Sequence, residues 1–126
     1  MNKRIITGVL VIMMILSTSN VKAVSKKTIK NYTKNYMLLK YEWGADEFKS
    51  LNKVIMHESS WNYKAVNKKS GACGLFQALP CRKMRSAGKN YRKSYKVQVK
   101  WGLKYIKNRY GTPSNAWRFW QKHHWY

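Results

Sequence analysis

The apolar positions change rhythm several times along the chain. Ile5 to Leu16 is an apolar run of twelve residues, interrupted only by Thr7-Gly8. Ile29, Tyr32, Tyr36 and Leu39 then follow i, i+3, i+7, i+10, the stripe of an amphipathic helix. Trp43-Gly44 interrupts it. A second helix is expected from near Ala45, with Asp46 and Glu47 in its first turn, where the positive end of the helix dipole favours them. Its apolar face is Phe48, Leu51, Val54 and Ile55. Residues 59–77 read as a long loop rich in Gly, Ser and Asn. Leu79-Pro80 suggests a turn into a short helix ending at Gly88.

Residues 94–110 fit two patterns. Tyr95, Val97, Val99, Trp101, Leu103 and Tyr105 alternate as in a strand, while Val99, Leu103, Ile106 and Tyr110 fit a helical stripe. The length favours a helix, as do Lys107 and Arg109 before Gly111. Thr112-Pro113 reads as an N-cap followed by proline at the first helical position, so a last helix is expected over 114–121, with Ala116, Trp117 and Trp120 on its inner face. The pattern therefore predicts a mostly α single domain.

The opening run changes the account of the N-terminus. Lys3 and Arg4 precede the apolar segment, Ser17 to Asn20 follow it, and Val21-Lys22-Ala23 offers a cleavage site. This is the tripartite pattern of a secretory signal peptide over 1–23. Twelve helical residues cover only ~18 Å, short of a ~30 Å bilayer core. The expected division is signal peptide 1–23, an N-terminal helix of the mature chain in 24–40 and the main domain in 41–126. The expected location is secreted, at the cell wall.

Charge narrows the partners. Across 126 residues, 26 Lys and Arg face 4 Asp and Glu, a formal net charge of +22. Loss of Lys3, Arg4 and Lys22 with the signal lowers this to +19. Four carboxylates are too few for a carboxylate-rich calcium or magnesium site. Six Trp, nine Tyr and three Phe exclude a solvated, disordered chain. An exported cation of this size meets anionic wall polymers, lipid headgroups or nucleic acid. No recognisable motif supports specific nucleic-acid binding. Export also permits a disulfide between Cys73 and Cys81, eight residues apart, with two free buried thiols as the alternative. No metal is expected, because the three histidines show no ligand spacing.

Glu58 carries the candidate chemistry. It lies seven residues after Leu51, only ~20° from that direction on a helical wheel, so a carboxylate is aimed at the core side. Such a group finds a cation or raises its pKa. Glu47 stands eleven residues earlier, ~16 Å along a helix, beyond the ~5–9.5 Å of two-carboxylate glycosidases. A sugar-cleaving enzyme here would work with one carboxyl group, and its substrate would supply the second function. Among the aromatics, Trp61, Tyr63, Tyr91, Tyr105 and Trp117 could floor a groove for sugar rings or serve as core.

Glu58-Ser59-Ser60-Trp61-Asn62 followed by Ser70-Gly71-Ala72-Cys73-Gly74-Leu75-Phe76-Gln77-Ala78-Leu79-Pro80 resembles the soluble-type lytic transglycosylases, which have a lysozyme-like fold. Gln98 to Ile106, Arg109 to Pro113, Ala116-Trp117 and Trp125-Tyr126 are similar to small secreted variants from bacteria and phages. The resemblance covers about residues 30–126. It implies Glu58 as acid and then base on the sugar's own 6-hydroxyl, cleaving the MurNAc-GlcNAc β-1,4 bond of peptidoglycan to leave 1,6-anhydromuramoyl ends. It implies Gln77 and Asn67 beside the substrate, a helix over 97–109, and no cofactor. Three features depart from the family plan. Cys73 and Cys81 stand where an aromatic and a small residue are common, Ser94 replaces an expected asparagine, and the third motif is reduced to Ala116-Trp117. A monomer is expected, with Tyr105 as a further sugar contact. The rival readings are a hydrolytic muramidase of the same fold and a non-enzymatic cationic protein that binds walls or membranes.

Overall fold

The computed structural model describes residues 23–126. The expected signal peptide therefore lies, except for Ala23, outside the described residues. Four α-helices follow in order: α1 (Lys26–Tyr41), α2 (Ala45–Glu58), α3 (Tyr95–Tyr110) and α4 (Pro113–His123). A 3₁₀ helix, Cys81–Ala87, precedes α3. Among the described residues the only β pairing is two isolated bridges, Val66 with Cys73 and Cys73 with Ala78. This mostly helical architecture fits a lysozyme-like fold.

The helix ends follow local chemistry. Ser25, Ser94 and Thr112 each accept a hydrogen bond from a backbone N–H three residues on, so α1, α3 and α4 are side-chain capped. Pro113 occupies the first position of α4. Gly111 ends α3 at φ +84°, a conformation other residues adopt at a cost, and its N–H reaches Ile106 O and Lys107 O. Residues 95–110 are thus helical, resolving the double pattern in favour of length and the glycine stop. Helix α4 runs one residue earlier and two later than the expected 114–121.

Helix α1 corrects one expectation. Its buried stripe is Ile29, Thr33 and Met37, whereas Leu39 is 85% exposed. Thr33 hides from an apolar pattern because its hydroxyl donates to Ile29 O at 2.7 Å, satisfying it inside the helix. The buried spacing is then i, i+4, i+8.

One core joins all four helices: Ile29 and Met37 from α1, Leu51 and Ile55 from α2, Val99, Leu103 and Ile106 from α3, and Ala116 from α4. The loop residues Leu75 and Phe76 are packed into it. Helix α2 lies chiefly against α4. Glu47 strengthens that contact, since its Oε2 accepts from the backbone N and the hydroxyl of Ser114 at 2.9 Å each. A carboxylate here faces the N-terminus of α4 and is stabilised by its dipole. A smaller cluster gathers Cys73, Ala78, Cys81, Met84 and Tyr91. Within it Cys73 and Cys81 are joined as a disulfide, with Cα atoms 5.3 Å apart.

Candidate active site

Glu58 is the last residue of α2 and is half-buried. The chain leaves the helix through Ser60 and Trp61, both at positive φ, and Trp61 drops into the core at 1% exposure. Its indole N–H donates to Asn52 Oδ1 at 2.8 Å, which fixes the turn back onto α2. Ser59 bridges to the next element by donating its hydroxyl to Leu75 O at 2.8 Å. The acid and the Gly74–Ala78 segment are therefore tied within one residue of the carboxylate.

That segment hangs from α3. Gln98 is 1% exposed, and its amide satisfies three loops at once. Its Oε1 accepts from Leu75 N, and its Nε2 donates to Tyr63 O and Tyr91 O, all at 2.9 Å. Gly74 and Gly102 allow the approach. A Cβ on Gly74 would lie 2.6 Å from Gln98 Oε1, and one on Gly102 would lie 2.2 Å from Phe76 Cδ2. Glycine is needed at both positions so that loop and helix can touch.

The segment floors a recess of about 210 Å³ whose walls include Phe76, Gln77, Trp101, Tyr105, Arg109 and Tyr126. Trp101, Tyr105 and Arg109 also line a neighbouring recess of about 370 Å³, so the two form a continuous cleft. Tyr105 stacks on Trp101 with ring centres 5.2 Å apart, and its hydroxyl accepts from Arg109 at 2.9 Å. Tyr126 folds back from beyond α4 and donates to Phe76 O at 2.6 Å. Its hydroxyl is pushed well above the ordinary tyrosine range, first by burial and then by the negative charge of Glu58. Tyr126 thus belongs to the cleft wall and is close enough to Glu58 to feel its charge.

Burial raises the Glu58 carboxyl above its usual range, opposed by hydrogen bonding from the Trp120 indole. Desolvation is the larger effect, and among the described residues no lysine, arginine or histidine contributes. The position at the negative end of α2 works in the same direction. The strongly positive chain does not reverse the balance, since distant charges are screened while burial acts locally. His57 turns away and stacks on Trp120 and Trp117, with ring centres 4.1 and 5.4 Å apart.

The remaining predicted residues divide. Gln77 reaches the cleft at φ +51°, but its Nε2 is turned inward to Gly74 O at 3.0 Å, closing its own turn. Tyr105 lies in the cleft. Asn67 is exposed and commits its Oδ1 to the backbone N–H groups of Lys69 and Ser70. Trp61 and Tyr91 belong to the core, while Trp117 joins the His57 stack. Sequence reasoning placed Trp120 on the inner face of the last helix but assigned no site role to it, to Gln98 or to Tyr126. For Gln98 a signal existed: a polar residue one turn before Gly102 on the face that carries Val99 and Ile106.

The family model for the transglycosylase SLT domain matches residues 38–122. The match takes in α2 with Glu58, the Gly74–Ala78 segment, α3 and nearly all of α4. The chain belongs to the transglycosylase SLT domain family. That membership supports a lytic transglycosylase role and implies peptidoglycan as the substrate. No curated protein and no solved structure matches the chain.

Proposed function

We propose that this protein is a secreted lytic transglycosylase that cleaves the MurNAc-GlcNAc β-1,4 bond of peptidoglycan with Glu58 as its single acid and base. The supporting observation is a half-buried carboxyl group with a raised pKa whose charge acts on Tyr126, a wall residue of an aromatic cleft. A general acid near neutral pH needs its proton held in this way. Glu58 gives its proton to the glycosidic oxygen as the bond to the anomeric carbon breaks. The resulting carboxylate takes the proton of the muramoyl 6-hydroxyl, whose oxygen bonds to the anomeric carbon. The products are a free hydroxyl on the leaving sugar and a 1,6-anhydro end. No water is consumed, and Glu58 is protonated again.

Glu47 is engaged at Ser114, which supports a mechanism with one carboxyl group. Tyr105 and the free carbonyl side of Gln77 would contact the glycan in the cleft. Asn67, held in its own turn, would act only where a strand extends over that loop. The positive surface would hold the protein, as a monomer, on anionic wall polymers.

The test is a digest of purified wall with the wild type and with Glu58→Gln, followed by mass spectrometry. The wild type is expected to leave ends about 18 Da lighter than hydrolysis would, the mass of one water, and the variant is expected to be inactive. Reducing ends alone would make the protein a hydrolase with the same site. Equal cleavage by the variant would remove Glu58 from the chemistry, and no cleavage by either protein would leave a cationic binding protein.

A further inference from the structure

A second recess, of about 530 Å³, opens between α1 and the start of α2 and shares no lining residue with the cleft. Lys34, Leu38, Trp43, Phe48, Lys49 and Asn52 form most of its wall. Phe48 lies ten residues before Glu58, ~15 Å along α2. The volume is within the ~300–1,000 Å³ of small-molecule sites and equals roughly 18 waters at ~30 Å³ each. It is too large for a bare ion.

The lining has two chemistries. Trp43 and Phe48 form an apolar floor, and Leu38 stands 56% exposed at the mouth. The only charged residues on the wall are Lys34 and Lys49. The Lys34 ammonium, on an exposed side chain, sits over the floor 4.8 Å from the centre of the Phe48 ring. Glu47, one residue from Phe48, is drawn away to Ser114. Asn52 uses its Oδ1 on Trp61, which leaves its amide N–H groups to donate. Gly44 caps α2 without a side chain, so the first-turn N–H groups add positive potential at this end.

An apolar floor under two ammonium groups fits a ligand with an apolar tail and a compact anionic head. A phosphate monoester carries about −1.5 to −2 at neutral pH, matching the two lysines, and lysine binds phosphate as a point charge. A sugar would need more converging polar groups, and a bilayer does not enter a concave recess. We propose that this recess binds a single-chain lipid phosphate. The site is independent of the active-site reading.

The test is a ¹H–¹⁵N NMR titration of the protein with decyl phosphate below its micelle concentration. Decanol, inorganic phosphate, decyltrimethylammonium and an acidic tetrapeptide serve as comparisons. Saturable shifts are expected at the amides of residues 43–49 and the Trp43 indole, with affinity at least tenfold above each comparison. The double variant Lys34→Gln/Lys49→Gln is expected to weaken binding tenfold or more. Gly44→Leu adds bulk at the recess wall without a clash, because a Cβ there meets nothing within 4 Å and the backbone is extended. This variant is expected to abolish binding while keeping the thermal transition and wall cleavage of the wild type. The proposal is overturned by no binding, by an equal response to decyltrimethylammonium, by tighter binding of the peptide, or by indifference to Gly44→Leu.

Discussion

Replacing Gln98 with methionine removes an amide of similar size and leaves three backbone groups without partners: Leu75 N–H, Tyr63 C=O and Tyr91 C=O. Each orphaned buried group costs about 1–3 kcal/mol. The loss is partly offset, because a thioether no longer has to be desolvated as an amide does. The net destabilisation is expected at about 2–4 kcal/mol, a large share of the ~5–15 kcal/mol that holds a domain together. Urea unfolding followed by tryptophan fluorescence measures it, through a fall in midpoint at constant slope. Gln98→Glu supplies a second signature. A carboxylate can accept from Leu75 N–H but cannot donate to Tyr63 O or Tyr91 O, and burial would raise its pKa. Its proton restores one donor, so the deficit should be smallest at acidic pH and grow as pH rises through that pKa. A loss below about 1 kcal/mol for Gln98→Met, or a pH-independent deficit for Gln98→Glu, would refute the view that this amide holds three loops.

Trp120→Phe removes the hydrogen bond that favours ionised Glu58, so the alkaline limb of the pH–rate profile should move to higher pH; a move to lower pH would contradict the assignment. Glu58→Gln should raise the melting temperature at neutral pH, where burial penalises the charge, with the gain shrinking as pH falls through the carboxyl pKa. Gly102→Ala gains about 1 kcal/mol of helix propensity but forces a methyl to within 2.2 Å of the Phe76 ring. Overpacking costs about 1–3 kcal/mol, so calorimetry should show net destabilisation together with slower wall cleavage. Cys73→Ala/Cys81→Ala opens a loop of eight residues and should lower stability by about 2.5 kcal/mol, read from denaturant midpoints.

Much of the helical order was legible because local signals agreed. The start of α4 follows from Thr112 and Pro113, and the end of α3 from Gly111. The direction of Glu58 followed from its seven-residue spacing to Leu51. What stayed hidden was produced by tertiary contact. Thr33 is buried because it bonds its own helix, which an apolar pattern does not register. Tyr126 and Trp120 meet Glu58 only once α4 is laid on α2, and their separation in sequence carries no trace of it. Gln98 could be marked as a polar residue on the face of Val99 and Ile106, but its three remote backbone partners leave no local periodicity.

Glu58 is the final residue of its helix, and on the proposed mechanism this makes the length of α2 a catalytic setting in its own right. One residue inserted or deleted between Leu51 and Glu58 would advance or retard the carboxyl by ~100° and ~1.5 Å. The apolar staircase could reseat itself after such a slip, but the proton would then point at bulk solvent or at packed hydrocarbon. Substitutions along this helix can therefore drift while its residue count cannot, and a folded but silent enzyme is the outcome expected of a frame-preserving codon gain there.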